Sequence, residues 1–496
     1  MGITSLYYLL FFAIVFVIYY ILPLKLRWVA LLIGSLIYIL IADNAYLVIY
    51  PAITIAVTWV CALGIGKIRE KDDTKDKAES ERRCRRLLVT GLAVNIGFLA
   101  LLKYFDIGTI KLIAPMGISF YTMSVMAYLL DVYYGLGKVE KNYFKLLLFG
   151  TFFPLLISGP IIRYKDTGLS LCEGHRFDYK KLTYGAQRVL WGLFKVLVIS
   201  ERLAVISDTI FEDHSAYPGT YVIIAAVCFT LRLYTNFAGS MDIALGLALT
   251  LGIELPENFK RPFFSQTVQE FWQRWHITLG EWLRDYVLYS ILRSKAFATL
   301  GQKLKEKFGK KKGKNLTTYI AMMILWLIAG IWHGGSLNFI WGVGLLQGIY
   351  IIIGEIIKNR SKKTENKAIP KILVNLRRLR TFCLMSFALL FFRAKNLKTG
   401  FDMIAKLFAK WNPEVLYDGS ILNLGLDIKD IVILAASLLV LFAVSLLQEK
   451  ESICERLSRF NIVIRWGVLF VGIFAVIIFG TYGPGYDAAE FIYQGF

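Results

Sequence analysis

The chain is 496 residues long, 56% hydrophobic and 19% charged. Its charges gather in short blocks between apolar runs of roughly 18–25 residues, which as helices cross a bilayer. This excludes a soluble globular protein, because so few charged residues would not cover its surface. The net charge of +21 does not indicate nucleic-acid binding, since the excess Lys and Arg lie in loops between spans, where the positive-inside rule places them.

Apolar runs follow one another along almost the whole chain. We expect an all-α polytopic membrane protein with about 11 crossings, and we expect the shorter or Gly- and Pro-broken runs to form re-entrant or interfacial helices. The first run lacks a basic start and a cleavage site, so we interpret it as a retained span. We treat residues 1–496 as one domain, since no internal repeat is found. The predicted spans are 5–23, 27–42, 45–66, 87–104, 112–134, 143–160, 186–208, 218–233, 236–253, 317–333, 337–357, 380–393, 429–448 and 464–481.

Three loops are strongly basic, namely Lys67–Arg86, Lys295–Lys314 and Lys358–Arg380. The positive-inside rule places all three in the cytoplasm, and the N-terminus therefore outside. The two spans at 317–357 would form a hairpin that leaves the cytoplasm and returns between the second and third loops. We expect a multi-pass protein of the cell membrane.

Two segments combine polar residues with Gly and Pro inside the membrane pattern. The first is Pro115–Thr122 together with Ser158–Tyr164. Irregular backbone at membrane depth survives only where protein buries it or water lines it, so we interpret this segment as a re-entrant cavity wall. Arg163 would then face a polar headgroup or an anionic donor. Alternatively, Gly-Pro ends a span and Arg163 extends to the interface.

The second segment runs from Leu255 to Tyr286. Thr267 and Glu270 fit a capping box, which predicts that a helix starts there. An apolar stripe at helical spacing predicts an amphipathic helix at the membrane interface, and a surface anchor would explain that stripe fully. It would not explain His276, Asn236 or Asp242. The stripe consists of Phe271, Trp275, Leu279, Trp282 and Tyr286.

The chain has four histidines, of which His175 and His214 lie in polar loops. His333 lies in Gly330–Gly335, between two apolar runs, where an ionisable group is a candidate functional residue. A neutral imidazole can take a proton from a hydroxyl at physiological pH. The alternative is a histidine that is hydrogen-bonded across a hairpin turn.

No local pattern marks a Ser, Cys or Asp as an acyl-enzyme nucleophile, and no zinc or phosphate-binding signature is found. The six cysteines contain no C-x-x-C pair, so we expect no metal site. These features favour direct attack of an acceptor hydroxyl on a bound thioester, with histidine as the base.

The chain resembles the bacterial membrane-bound O-acyltransferases (the MBOAT family), of the alginate O-acetylase and D-alanyl–teichoic acid transfer type. The resemblance covers about residues 100–400, and the blocks around His276 and His333 are its specific parts. The matching pieces are Pro115–Phe120, Tyr128–Tyr134, Phe152–Tyr164, Phe237–Asn258, Phe271–Tyr286, Gly330–Gly335 and Phe391–Ala394.

The resemblance implies helices around a central tunnel, with His333 as catalytic base and His276 as a second histidine that supports substrate placement. An acyl thioester, acetyl-CoA or an acyl-carrier protein, would arrive from the cytoplasm as co-substrate, with no permanently bound cofactor. The acceptor would be a glycan outside, and an extracytoplasmic acyltransferase or esterase-like protein is a candidate partner. Candidate substrate-binding residues are Trp332, Asn236, Asp242, Arg163, Trp275 and Arg274.

The leading hypothesis is transfer of acetyl to hydroxyls of an extracellular or cell-wall polysaccharide. The departures from the family pattern leave the acceptor open: Asp242 is shifted by one place, and the residues after Tyr286 differ. D-alanyl transfer from a carrier protein to teichoic acid is the alternative, with Lys303–Lys314 as a candidate docking surface. A transporter or flippase is the alternative of another class.

Overall fold

The computed structural model describes residues 2–42, 45–71, 77–104, 115–361, 370–449 and 451–483. The start of the predicted span at 112–134 lies outside these residues, as do 72–76 and 362–369 of two basic loops. All the candidate site residues lie within the described part of the chain.

The described residues are almost entirely helical, which confirms the all-α class. Within them, extended pairing is limited to an isolated bridge between Phe259 and Trp275. The α-helices are α1 (Leu6–Ile21), α2 (Arg27–Ala42), α3 (Ile49–Glu70), α4 (Lys77–Tyr104), α5 (Ile118–Tyr134), α6 (Tyr143–Thr151), α7 (Phe153–Leu156), α8 (Leu169–Cys172), α9 (Tyr179–Leu193), α10 (Glu201–Glu212), α11 (Thr220–Thr250), α12 (Val268–Arg274), α13 (Ile277–Trp282), α14 (Tyr289–Arg293), α15 (Lys295–Phe308), α16 (Lys310–His333), α17 (Leu337–Phe339), α18 (Leu346–Ser361), α19 (Lys371–Arg393), α20 (Leu397–Ala409), α21 (Ile428–Leu447), α22 (Ile453–Ser458) and α23 (Ile462–Phe479).

Other helical geometries interrupt or precede several of these helices. Turns with π-helical hydrogen bonding cover Tyr164–Gly168, Phe194–Ser200, Leu283–Leu288 and Ile340–Leu345. Short 3₁₀ turns cover Leu24–Leu26, Ala45–Val48, Pro262–Phe264, Pro413–Leu416 and Ser420–Leu424.

Eight helical stretches of the described chain are long and apolar enough to cross a membrane, against the expected number of about 11 crossings. α1, with 16 residues, is a shorter apolar helix. The predicted spans 218–233 and 236–253 are one helix, α11, because the polar residues between them do not break it. The predicted span at 143–160 is divided into α6 and α7, where Pro154 begins a new turn. The eight stretches are Leu24–Ala42, Tyr46–Glu70, Lys77–Tyr104, Thr220–Thr250, Lys310–His333, Leu337–Asn359, Ile428–Leu447 and Ile462–Phe479.

The chain divides into two compact units. The first unit comprises Met1–Leu197, Asn236–Pro256 and Leu457–Phe496, and the second comprises Val198–Thr235 and Glu257–Arg456. Organisation as one domain stays a prediction.

In the first unit, aromatic packing joins the N-terminal helices. Tyr8 of α1 and Tyr38 of α2 are fully buried, with ring centroids 5.4 Å apart. Phe153 of α7 lies 6.1 Å from Tyr8 and 5.9 Å from Tyr38. Tyr8 meets both other rings in edge contact, and the Tyr38–Phe153 pair is tilted. The three buried rings contribute a large apolar area to the packing of α1, α2 and α7.

The first unit also contains a glycine seam, by which we mean Gly185 and Gly192 of α9 against Gly239 and Gly246 of α11. A Cβ added at Gly185 would lie 2.5 Å from the carbonyl oxygen of Gly246, and one at Gly192 would lie 2.6 Å from that of Gly239. Small residues let helix backbones approach closely where no hydrophobic force joins helices in lipid. Both pairs are seven residues apart, so the seam extends over two helical turns.

In the second unit, close backbone approach also surrounds the end of α16. A Cβ at Gly330 would lie 2.9 Å from the Cα of Ile340, in the π-helical turn that follows α17. Asn338 of α17 donates from Nδ2 to the carbonyl oxygens of Phe391, at 3.3 Å, and Ala394, at 2.9 Å. The loop after α16 is thereby attached to the C-terminal end of α19.

The expectation of one amphipathic helix across 267–286 is wrong. Thr267 caps α12 as predicted, its hydroxyl accepting from the N–H of Glu270 at 3.1 Å. The helix ends at Arg274, and α13 starts at Ile277 after a backbone break. The five stripe residues are between 1% and 8% exposed, so the stripe packs inside the protein and does not anchor it to a surface.

We expect Gly192→Leu to destabilise the first unit, because the new side chain would meet the backbone of α11. Overpacking of a well-packed core costs about 1–3 kcal/mol, and contact with backbone favours the upper end. The measurement is the thermal unfolding midpoint in detergent. Gly97→Leu on α4 is the control, since a Cβ there meets no atom within 4 Å. Equal midpoints for the two variants would contradict the seam.

Candidate active site

His333 is the last residue of α16 and is 4% exposed. The helix stops there because Gly334 leaves the helical region, with φ 173° and ψ −12°, and Gly335 has a positive φ of 72°, which glycine accommodates without strain. A Cβ at Gly334 would lie 2.6 Å from the ring of Phe339, so the close turn requires a glycine. The chain thus presents one imidazole at a sharply terminated helix end.

Aromatic rings hold the imidazole of His333 from two sides. The Trp332 ring centroid lies 4.7 Å away at 73°, and the Phe392 ring of α19 lies 6.0 Å away at 74°. Phe392 in turn contacts Phe339 at 5.0 Å. Edge contacts of this kind restrict the orientation of the imidazole ring.

His276 lies at the break between α12 and α13. Its backbone is left-handed, with φ 47° and ψ 51°, and the residue is 1% exposed. Such a conformation costs a non-glycine residue on the order of 1–3 kcal/mol, and strain of this kind clusters at functional sites. The break is held by Ile277, whose N–H donates to the carbonyl of Asn258 at 3.0 Å, and by Lys260, whose N–H donates to that of Arg274 at 2.9 Å.

The side-chain oxygen of Asn258 fixes the tautomer of His276. Oδ1 accepts from the N–H of Thr278 at 3.1 Å and from its hydroxyl at 3.0 Å, and lies 3.2 Å from Nδ1 of His276. Because a carbonyl oxygen only accepts, Nδ1 must carry the proton. Burial lowers the pKa of His276 to about 3, so the ring is neutral at pH 7 and Nε2 is its acceptor nitrogen.

The structure brings the two histidine blocks together in the second unit. The ring of His276 lies 6.4 Å from that of Trp332, which also contacts His333. Trp332 is therefore the common neighbour of both imidazoles. The catalytic role of His333 and the supporting role of His276 stay predictions.

Trp275 and Arg274 have partners inside the second unit. Trp275 is 3% exposed and stacks on Phe271 with centroids 5.3 Å apart at 20°. Arg274 pairs with Glu270 one turn earlier, with Nη2 and Oε1 2.6 Å apart. These contacts give both side chains packing roles, and their predicted contact with substrate stays a prediction.

Asp242 lies in the first unit, within the glycine seam. Its carboxylate pairs with Arg188 at 2.9 Å and with Lys195, whose side chain is 3% exposed. The carboxylate thus joins α11 to α9 through Arg188 and to the π-helical turn after α9 through Lys195, and removal of this shared partner would leave two mostly buried cations uncompensated. A contact between Asp242 and substrate stays a prediction.

Asn236 and Arg163 also belong to the first unit. Asn236 is 5% exposed, and no hydrogen-bond donor among the described residues reaches its Oδ1. Arg163 is half-buried and follows the irregular, buried backbone of 157–162. Part of that backbone and of α5 lines a small cavity, and Arg163 is not among the lining residues. The re-entrant cavity wall and the contact of Arg163 with a headgroup or donor stay predictions.

Sequence reasoning did not single out Asn258, Arg188 or Lys195. Asn258 was visible only as a polar residue in an irregular segment before the His276 block. Arg188 and Lys195 lie three residues after Gly185 and Gly192, a repeat that indicates a shared helix face. Within the described chain, no group of three His, Cys, Asp or Glu side chains is placed to hold a metal ion.

We expect Asn258→Ala to destabilise the second unit by about 2–4 kcal/mol, because it leaves the buried donors of His276 and Thr278 without their acceptor. Thermal unfolding in detergent measures the loss. Asn375→Ala, at an exposed position of α19, is the control. A variant as stable as the control would show that Asn258 does not hold the break.

We expect Asp242→Asn to cost about 3–5 kcal/mol, because two cations lose their shared counter-charge. The readout is the amount of folded protein in membranes and its unfolding midpoint. Asp402→Asn, at an exposed position of α20, removes the same charge without a buried partner. Similar midpoints for both variants would overturn the assignment.

Comparisons with known proteins identify the family of this chain. A sequence model of the MBOAT, membrane-bound O-acyltransferase family, matches residues 140–302. The chain is 30% identical to the probable alginate O-acetylase AlgI of Pseudomonas fluorescens, over 88% of this chain and 81% of that protein. It is 29% identical to the peptidoglycan O-acetyltransferase of Helicobacter pylori, over 64% of each chain. It is 28% identical to the teichoic acid D-alanyltransferase of Bacillus subtilis, over 48% of this chain and 58% of that one. The chain therefore belongs to the membrane-bound O-acyltransferase family and is a multi-pass membrane O-acyltransferase.

Proposed function

We propose that the protein transfers an acetyl group from a cytoplasmic thioester to hydroxyls of an extracellular or cell-wall polysaccharide. The observation that carries this proposal is His333 at the end of α16, with Trp332 and the neutral His276 beside it. The names of the relatives support the acceptor class, since those with the widest coverage are O-acetylases of polysaccharides. The bacterial relatives also support placement in a bacterial plasma membrane.

In the proposed reaction His333 acts as general base. The acceptor oxygen forms a bond to the thioester carbonyl carbon while its proton passes to the imidazole. The carbon–sulfur bond then breaks, and the leaving thiolate takes the proton from the imidazolium. The step balances without an acyl-enzyme intermediate. We assign to His276 the placement of the acceptor and of the neighbouring Trp332. The hydrogen bond from Asn258 orients the His276 ring for this role.

The helix that carries His333 indicates how the two substrates reach it. α16 has 24 residues, which span about 36 Å, and its first turns carry the basic residues that the positive-inside rule places in the cytoplasm. His333 then lies toward the outer end. We propose that the donor enters from the cytoplasm as a co-substrate, with no permanently bound cofactor, and that the glycan arrives from outside.

The exposed lysines of α15 and α16 support donor docking at the cytoplasmic face. Seven lysines between Lys303 and Lys314 are exposed on this helical hairpin. Such a surface attracts the phosphates of coenzyme A or an acidic carrier protein. We propose this hairpin as the docking surface of the donor. On the outer side, an acyltransferase or esterase-like protein would complete delivery to the polymer.

D-alanyl transfer to teichoic acid is the second candidate, because a D-alanyltransferase is among the relatives. That match covers 48% of this chain, against 88% for the alginate O-acetylase of Pseudomonas fluorescens, which favours acetyl. Mass spectrometry of envelope glycans from cells with and without the gene distinguishes an acetyl ester from an alanyl ester.

We expect His333→Ala to lower the turnover of acyl transfer by on the order of 10²–10⁴-fold, because the proton of the attacking hydroxyl loses its acceptor. The assay follows thiol release and ester formation by the purified full-length protein. His214→Ala is the control, since it removes a histidine of a loop outside the site.

The variant should still accumulate in the membrane, and its unfolding midpoint shows whether it is folded. Wild-type turnover by a folded His333→Ala protein would exclude His333 as the base. Accumulation of an acyl-enzyme in the wild type would exclude direct transfer.

A further inference from the structure

A group of three charged side chains lies in the same unit as His333 and has no part in the mechanism above. Asp208 of α10 accepts from Arg232 of α11, with Oδ1 and Nη1 2.6 Å apart. The same oxygen accepts from Arg393, the last residue of α19, with Nη2 at 2.7 Å and Nε at 3.1 Å. We call Arg232 and Arg393 the arginine pair.

The arginine pair carries more positive charge than Asp208 neutralises. Among the described residues Asp208 is the carboxylate that pairs with either guanidinium, so the three side chains have a net charge of +1. A neighbouring bridge on α10 has the ordinary balance, Arg202 with Asp430 at 3.0 Å. One arginine would suffice to neutralise Asp208, so the second guanidinium carries a positive charge that Asp208 does not balance.

The position of Arg232 makes this imbalance costly. It lies in a stretch long and apolar enough to cross a membrane, and its side chain is 12% exposed. An ionisable residue at such a position faces the protein interior or a water-filled cavity and marks a candidate substrate site. Arg393 and Asp208 are 31% and 28% exposed, so the group has an open side that another molecule can reach.

A continuous layer of aromatic rings joins the arginine pair to His333. The guanidinium carbon of Arg393 lies 5.6 Å from the ring of Phe211. Phe211 contacts Phe229 at 5.9 Å, and Phe229 contacts Phe392 at 6.1 Å. Phe392 is next to Arg393 in the chain and lies 6.0 Å from the ring of His333. Arg393 therefore directly follows a residue whose ring borders the candidate active site.

His333 and Arg393 also lie at equivalent ends of their helices. α16 and α19 both begin in strongly basic segments, which the positive-inside rule places in the cytoplasm. His333 is the last residue of α16, and Arg393 is the last residue of α19. Both residues then lie toward the side from which the glycan comes.

We propose that the arginine pair binds an oxyanion of the acceptor, a carboxylate or a phosphate, and so selects an anionic glycan for acylation at His333. The planar guanidinium fork of Arg393 matches either oxyanion in a bidentate geometry. The oxyanion supplies the counter-charge that Asp208 does not. This inference rests on the proposed function, because it assumes that the acceptor hydroxyl reaches His333.

The test compares three acceptors of equal length with the purified full-length protein and acetyl-CoA: an oligouronate, a polyol phosphate oligomer and a neutral oligosaccharide. Arg393→Gln leaves Arg232 and Asp208 as a balanced pair. We expect it to raise the KM for the preferred anionic acceptor roughly tenfold or more relative to the KM for the neutral one. The value of kcat should change far less.

Lys395→Gln is the matched control, because it removes an exposed positive charge two residues away, and its KM values should equal those of the wild type. Arg393→Lys keeps the positive charge without the planar guanidinium, and its KM for the anionic acceptor should lie between those of the wild type and Arg393→Gln. Such an intermediate KM would distinguish loss of binding from a folding defect. The anionic acceptor that loses affinity identifies the oxyanion as carboxylate or phosphate. Equal effects of Arg393→Gln on all three acceptors would overturn the proposal.

If the wild type acylates none of the three acceptors, the proposed function fails separately. Equilibrium binding of fluorescent oligouronate and polyol phosphate to the same proteins then decides the present inference. Binding that Arg393→Gln weakens and Lys395→Gln does not would support the arginine pair as an oxyanion site. Binding that is equal in the two variants, or absent from the wild type, would overturn it.

Discussion

Polar and charged side chains inside a membrane protein must find their partners within the protein, because hydrocarbon offers none. In the first unit this constraint places Asp242 between Arg188 and Lys195. In the second unit it places the buried oxygen of Asn258 among donors of His276 and Thr278. The contacts that satisfy these buried polar groups also hold together the chain segments that carry them.

The candidate site depends on this satisfaction at a helix break. The left-handed backbone of His276 persists because main-chain bonds on both sides and the side chain of Asn258 hold it. A continuous helix across 267–286 would not give this orientation of the imidazole beside Trp332. The left-handed backbone thus places the ring beside Trp332, and the oxygen of Asn258 sets its tautomer.

Much of this was predictable from sequence, since apolar length and charge placement are strong signals in membrane proteins. The helical class, most long spans, the Thr267 cap and the two histidine blocks follow from local patterns and from the family resemblance. The break at Trp275–His276 did not follow, because the apolar stripe continues at helical spacing through it. The union of 218–233 and 236–253 into α11 was also missed, because polar residues at helix–helix contacts resemble a loop in one dimension. Side-chain pairs such as Asp208 with Arg232 join residues on different helices, and the spacing of residues within one helix does not predict them.

The glycine seam and the ion pairs of Asp242 together restrict insertions and deletions in α9. Each residue of an α-helix turns the chain by about 100°. A single insertion in α9 between Gly185 and Gly192 would rotate Gly192 away from Gly239 and, with it, Lys195 away from Asp242. Close backbone approach and charge neutralisation would be lost in the same event. The number of residues in this stretch is therefore under stronger constraint than the identity of most side chains in it.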